Sequence, residues 1–254
     1  MLDSAAPAAL AASRRAGTLA RVRLQDIASR ADAEAFQAEA IEALGGEPCG
    51  YKIGATSSEV QQLLKCREPI EAPILREHVL ASSATFSIPA GLLGIECEFG
   101  FVMGRDFPAP EDTPELGALR SAVAECFVGL ELVCRRVAPE VPLNEITAIA
   151  DFSLDVAVVR GAPIPDWQRH DLAGLPVRAV LDGVTMASGT GVAVLGHPLN
   201  SLLWLATALS KRGQPLRKGE IILTGTCTGI TKVAPGQLFQ GRFGDFPAVE
   251  IRLA

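Results

Sequence analysis

The run 94-GIECEFGFVMG-104 alternates without a break. Ile95, Cys97, Phe99, Phe101 and Met103 fall on one face of an extended strand, and Glu96, Glu98 and Gly100 fall on the other. Side chains two apart on one face sit about 6–7 Å from each other. Two carboxylates so placed repel, and burying either without compensation is costly or forces protonation. An isolated E-x-E is ordinarily a solvated outer face. A second run changes that reading: in 127-FVGLELVC-134, Glu131 is the only charge in an otherwise apolar strand-like segment. Acids inside such runs are seldom fully buried unless paired or bound to metal. Two strands that each carry inward-looking acids predict a hard-cation site on oxygen ligands, with positions left for water and substrate. Zinc fits poorly, because no His or Cys stands at a suitable spacing from these acids. Glu96, Glu98 and Glu131 are therefore the candidate metal ligands.

Upstream, Lys52 lies in 50-GYKIGATSSE-59, just before Thr56-x-x-Glu59, whose capping-box spacing predicts a helix over about 57–66. A lysine beside a glycine turn that enters a helix is a good anion receptor, although a lone lysine at a strand end more often snorkels to water. Before it, 32-DAEAFQAEAIEAL-44 places Phe36, Ala40 and Leu44 at four-residue spacing and stops at Gly45-Gly46, so the first 49 residues read as a helical preface. Residues 50–254 read as one mixed-β domain. Downstream, Thr113-Pro114-Glu115 and His197-Pro198 open two further helices, and Asp182-Gly183 between 177-VRAVL-181 and 184-VTMAS-188 signals a hairpin. Runs at 220–225, 237–243 and 248–253 complete the β-rich half. Two glycine-bearing segments, 188-SGTG-191 and 224-TGTCTG-229, offer backbone N–H and hydroxyl groups to a small polar ligand, with Ser188 and Thr226 as candidates. Neither is a P-loop or a dinucleotide fingerprint.

The bulk numbers narrow the class. The 254 residues are 48% hydrophobic and 20% charged, an ordinary globular balance. A net charge of -6 argues against a nucleic-acid or anionic-membrane partner. No run approaches about 20 uninterrupted apolar residues, and the N-terminus lacks a secretory h-region. The six cysteines show neither C-x-x-C nor zinc-ribbon spacing, which reads as reduced thiols in a cytoplasmic protein.

GYKIG at 50–54, IECEFGFVMG at 95–104, LELV at 130–133, IADFS at 149–153, SGTGVAVLGHPLNSLLWLA at 188–206 and LRKGEIILTG at 216–225 follow in order. Together they resemble the hydratase/decarboxylase branch of the fumarylacetoacetate hydrolase superfamily over about residues 50–254. That resemblance implies an α+β fold with a mixed β-sandwich or roll behind the small helical part, and a homo-oligomer. It also implies Mg²⁺ or Mn²⁺ on Glu96, Glu98 and Glu131, and Lys52 at the acid end of a small 2-oxo acid. The superfamily's other, hydrolase branch normally carries a His–Glu dyad in a Y-x-x-H-x-x-E segment near the N-terminus. This chain has none, its first histidine being His78, which favours a lyase.

The implied reaction adds water to a 2-hydroxy-2,4-dienoate, giving a 4-hydroxy-2-oxo acid. Two positions depart from the branch's pattern. Ile70 in 68-EPIEAPIL-75 stands where relatives have the acid of QPDFG, with Glu71 next to it as the candidate proton carrier. Phe152 stands where relatives read ADN. Decarboxylation of a 2-oxo-3-enedioate uses the same enolate stabilisation and stays open as an alternative, as does a catalytically idle relative acting as a binding protein.

Overall fold

The computed structural model of the chain describes residues 3–110 and 112–254. Its elements run α1 (Ala6–Ala16), α2 (Arg30–Leu44), β1 (Pro48–Gly54), α3 (Ser58–Leu64), β2 (Ile70–Leu75), β3 (Val79–Ala81), β4 (Ala84–Phe86), β5 (Leu92–Met103) and α4 (Leu116–Ala122). They continue as β6 (Val123–Cys134), α5 (Glu145–Ala150), β7 (Asp155–Pro163), β8 (Pro176–Leu181), β9 (Val184–Thr190), α6 (Pro198–Lys211), β10 (Ile221–Thr226), β11 (Leu238–Phe243) and β12 (Val249–Leu253).

The two acid-bearing runs are the longest strands, β5 and β6, and they pair antiparallel along most of their length. They form the middle of a seven-stranded sheet ordered β2-β1-β10-β5-β6-β7-β3, which packs on a five-stranded sheet ordered β4-β12-β11-β8-β9. Parallel pairs (β1–β10, β3–β7, β4–β12) and antiparallel pairs are mixed, as the α+β expectation required. The odd-numbered face of β5 fills the space between the sheets. Phe99 meets Phe243 edge-on at 5.2 Å, and Cys97, Phe101 and Leu130 join Phe239, Ile251 and Val177 in one apolar cluster. Each fully buried side chain of that size contributes about 1.5–3 kcal/mol. With that face committed to the core, Glu96 and Glu98 must look the other way.

What lies on the other side is not water. α2 starts at a Ser29 cap, whose Oγ accepts from the Asp32 N–H, and buries Ala33, Phe36, Ala40 and Leu44. That stripe and α1 pack against Ile70, Leu75, Ala148, Ile149 and Phe152, so the N-terminal helices share a second apolar cluster with later parts of the chain.

Local expectations shift by a residue or two. The cap of α3 is Ser57, not Thr56: Ser57 Oγ accepts from Val60 N–H at 3.3 Å, which leaves Thr56 outside the helix. α4 begins at Leu116 with Glu115 at its cap, so Pro114 stands just ahead of the helix rather than in its first turn. The Asp182-Gly183 hairpin forms, joining β8 to β9. His197 opens α6, its Nδ1 accepting from Leu199 N–H at 3.0 Å.

The stretch Gly191–Lys211 is long and apolar enough by composition to cross a membrane. Its Leu199, Leu202, Leu205, Ala206 and Leu209 are buried in the main core, which accounts for that composition. All six cysteines are buried and unpaired.

Candidate metal centre

Pairing between β5 and β6 sets Glu96 directly opposite Glu131, while Glu98 sits one step along, opposite Gly129 and next to Thr226 of β10. One oxygen from each of Glu96, Glu98 and Glu131 lies within 4.8 Å of the others. Glu98 and Glu131 are fully buried, and Glu96 is partly accessible. Lys52 comes from β1, two places across the sheet, and is 3% exposed. Its Nζ lies 3.0 Å from Glu131 Oε1 and donates to the Ser153 carbonyl at 2.8 Å.

That carbonyl is presented by an unusual turn: Phe152, Ser153 and Leu154 all have positive φ, at 54°, 48° and 69°. Such conformations are strained for residues other than glycine and persist only when the surroundings fix them. Two guanidiniums do so here, Arg14 at 4.6 Å and Arg136 at 5.2 Å from the Phe152 ring centre. On the opposite side, a bulge in β10 turns the Gly225 N–H onto Glu98 Oε2 at 2.8 Å. Gly225 has φ 109°, and a Cβ there would run into the Thr56 hydroxyl, so this close approach requires glycine.

The electrostatics are unbalanced. At about 4 Å two like charges cost about 4 kcal/mol at an effective dielectric of about 20. Burial pushes the Glu96 carboxyl up to about 8, with Glu131 adding to the shift. Glu98 is raised well above the ordinary carboxylate range by burial and by both neighbouring acids, and the Gly225 N–H only partly offsets this. Glu131 is raised by burial too, with Lys52 opposing. Burial works against the Lys52 charge, but Glu131, Glu98 and Glu96 outweigh it and hold the ammonium above its usual range.

Ionised together, as metal ligands must be, three carboxylates faced by one ammonium leave two negative charges uncompensated, the charge of one divalent cation. Glu98 Oε1 and both Glu131 oxygens are buried without a hydrogen-bond donor, the Lys52 contact being an ion pair rather than an aligned hydrogen bond. An all-oxygen set of this kind fits a hard cation such as Mg²⁺ or Mn²⁺.

A cavity of about 250 Å³ opens onto these groups. Lys52, Glu96 and Thr226 line it. Thr226 Oγ1 accepts from Gly229 N–H at 2.8 Å and so shapes its own turn. Two of the residues singled out from sequence are elsewhere. Glu71 pairs with Ile53 across β1–β2, one step off the Lys52–Ala72 and Gly54–Ile70 pairs. Its side chain therefore leaves by the opposite face and ion-pairs with Arg212. Ser188 is exposed on β9 opposite Arg178. The SGTG segment instead packs on the TGTCTG loop, where a Cβ on Gly189 would strike the Cys227 carbonyl.

Ile70, singled out from sequence for its departure from the family pattern, lines the cavity; Thr56 and Ser153 as lining groups, and the rest of the apolar wall made by Leu93, Val133 and Leu143, were not read from sequence. The signal for Ser153 was present in Asp151-Phe152-Ser153, between two apolar runs, but its partner Lys52 is 101 residues away. Of the histidines, His197 caps α6, His170 sits against the Pro165 carbonyl, and His78 contacts Arg14.

Comparison with known proteins agrees with this architecture. The family model for the fumarylacetoacetate (FAA) hydrolase C-terminal region matches residues 60–253. The chain is 33% identical over 200 residues to 2-keto-4-pentenoate hydratase of Paraburkholderia xenovorans, covering 78% of this chain and 72% of that one. It is 32% identical over 202 residues to 2-hydroxyhexa-2,4-dienoate hydratase of Comamonas testosteroni, covering 78% and 75%. Among solved structures, 4-oxalocrotonate decarboxylase from Pseudomonas putida G7, complexed with magnesium and adipate, superposes with a TM-score of 0.87 at 25% identity, over 100% of this chain and 99% of that one. The chain belongs to the fumarylacetoacetate hydrolase family.

Proposed function

We propose that this protein is a divalent-metal-dependent hydratase that converts a 2-hydroxy-2,4-dienoate, through its 2-oxo tautomer, to a 4-hydroxy-2-oxo acid. Glu96, Glu98 and Glu131 hold Mg²⁺ or Mn²⁺ in this reading. The observation that carries it is the cluster of three carboxylates, one oxygen of each within 4.8 Å of the others, with one ammonium against them and unpartnered buried oxygens on Glu98 and Glu131. The hydratase relatives support the reaction class.

When bound, the ion supplies a Lewis acid that stabilises negative charge developing on the C2 oxygen of a 2-oxo acid. Lys52 supplies the fixed positive charge for the substrate's carboxylate. Held by the Ser153 carbonyl and Glu131, its ammonium is already ordered before substrate arrives. Among the described residues lining the cavity, Lys52 and Glu96 are the only titratable ones. With Glu96 engaged as a ligand, Lys52 is the side chain left to hold or pass a proton at the acid end. Thr56 and Thr226 border the same end and can orient a water there. Overall, the dienol O–H proton moves to the chain terminus, water's hydroxyl adds at C4 of the conjugated ketone, and its proton goes to C3.

The test pairs turnover with binding. Mg²⁺-loaded protein should consume 2-hydroxypenta-2,4-dienoate, followed as loss of dienol absorbance without release of CO₂. Glu96→Gln and Glu131→Gln should each abolish turnover and calorimetric Mg²⁺ binding together. Retention of both by either variant would sink the assignment.

A further inference from the structure

The cavity has two unlike ends. At the inner end stand Lys52, Glu96, Thr56 and Thr226. Beyond them the walls are hydrocarbon. Val133 lies two residues past Glu131 on the same face of β6, about 6–7 Å farther along. Leu93 joins it because β5 bulges there: Leu92 pairs with Cys134 and Gly94 with Val133, so Leu93 is the extra residue turned out of the ladder. Leu64 of α3 and Leu143 also line the cavity, and Ile70 occupies the Lys52 face of β2. Leu63 and Ile230, which are 63% and 46% exposed, stand at the mouth.

No second cation lines the cavity among the described residues. Lys52 is already placed between Glu131 and the Ser153 carbonyl at the acid end. Of the hydroxyls, Ser153 Oγ donates to the Glu71 carbonyl, and Ser57 Oγ accepts from the Val60 N–H as the cap of α3. A carboxylate carried into the hydrocarbon end would shed its hydration and meet, among the described residues, no cationic side chain in exchange.

We infer that the cavity selects 2-oxo acids whose far end is uncharged and apolar, a hydrogen, methyl or short alkyl chain, and rejects dicarboxylates, with Val133, Leu93 and Leu143 as the residues that set this choice. The inference rests on the functional reading above and narrows its substrate class. It also argues against decarboxylation of an enedioate as the native reaction, since such a substrate carries its second carboxylate toward these side chains.

A matched pair of unreactive ligands tests it without turnover. 2-Oxohexanoate and 2-oxoadipate share a six-carbon chain and differ only in a terminal methyl against a carboxylate. Calorimetric titration into Mg²⁺-loaded full-length protein should give a dissociation constant at least about 10-fold lower for 2-oxohexanoate, on the scale of one misfit group in an apolar pocket. Leu143→Lys, at a partly exposed wall position, should narrow or reverse the gap while leaving Mg²⁺ binding intact. Equal or tighter binding of 2-oxoadipate by the unaltered protein overturns the inference, whether the missing cation comes from a second copy of the chain or from elsewhere. If dienoates are turned over in that case, the hydratase reading survives alone. If neither ligand binds and no dienoate is consumed, both readings fall together.

Discussion

Two clusters of buried charge lie on either side of the 151–155 turn, and they are built on opposite principles. In the first, Arg14 and Arg136 face Asp155 and Asp151, two cations against two carboxylates. Arg14 reaches Asp155 Oδ2 at 2.8 Å, and Arg136 reaches Asp151 Oδ1 at 3.0 Å, with the Arg136 N–H on Asp151 Oδ2 at 2.6 Å. Both guanidiniums also rest on the Phe152 ring. In the second, Lys52 alone faces Glu96, Glu98 and Glu131. The arginine cluster is balanced in charge by the fold itself, although Arg14 Nε and Asp155 Oδ1 are buried without a partner, whereas the glutamate cluster needs a cation the chain does not provide. Buried ion pairs with matched charge serve geometry, while a matched deficit marks a site.

Breaking the glutamate cluster should have the largest functional effect and little structural cost. Glu131→Gln, or exhaustive chelation, should lower kcat/KM by at least about 10³-fold, because the Lewis acid is worth several kcal/mol at the transition state. Circular dichroism should remain native. Activity within about 10-fold of the unaltered enzyme would show that the deficit is not the site.

Breaking the arginine cluster should do the reverse. Arg136→Leu leaves Asp151 buried and unpaired, a loss of about 3–5 kcal/mol by denaturant unfolding. Because this cluster is balanced in charge without a metal, the loss should be the same with and without Mg²⁺. A Mg²⁺-dependent loss would mean the two clusters are one.

Phe152→Leu probes the join between them. The ring leaves both guanidiniums, and cation–π contacts are worth about 0.5–2 kcal/mol each, so stability should fall by about 1–3 kcal/mol. The turn then loses its clamp, the Ser153 carbonyl moves off Lys52, and KM should rise about 10-fold with Mg²⁺ affinity unchanged. Phe152→Asn introduces an amide that tolerates positive φ better, so it should cost less in KM than leucine does.

How much of this could be read from the chain alone follows the range of the interaction. Alternation within 94–104 put Glu96 and Glu98 on one face, and the apolar setting of Glu131 marked it as anomalous, because both are local patterns. That Glu96 stands opposite Glu131 depends on strand register, which periodicity does not fix. Glu71 fails for the same reason: a shift of one residue separates it from Ile70 and sends it to the other face of the sheet. Ser188 was singled out for its glycine-rich context, and pairing with β8 leaves it outside the cavity. The arginine cluster did leave a trace, since Arg136 follows an apolar strand and Asp151 and Asp155 flank Phe152 in IADFSLDV. Charges in such settings are rarely idle, but their partners lie on other elements, and Arg14 comes from the N-terminal helix.

The smallest expected effect separates the two clusters by sign. Without metal, Glu96 in the folded protein holds its proton up to about pH 8, whereas the unfolded chain releases it near 4.5. Its contribution is therefore fully present below about 4.5 and is lost as pH rises through 8. His78, beside Arg14, is depressed below 6.5 by burial and then by that guanidinium. The folded state resists its protonation, so its contribution is lost as pH falls below 6.5. Mg²⁺ acts only on the first group, because it displaces the protons that the crowded carboxylates hold. The gain in Tm on adding saturating Mg²⁺ should therefore be slight at pH 5 and reach a few degrees at pH 8. The His78 contribution is common to both curves and cancels from the difference. His78→Gln should leave that difference unchanged at every pH, and a Mg²⁺ increment that is flat from pH 5 to 8 would show that the three glutamates are not the groups competing with the ion.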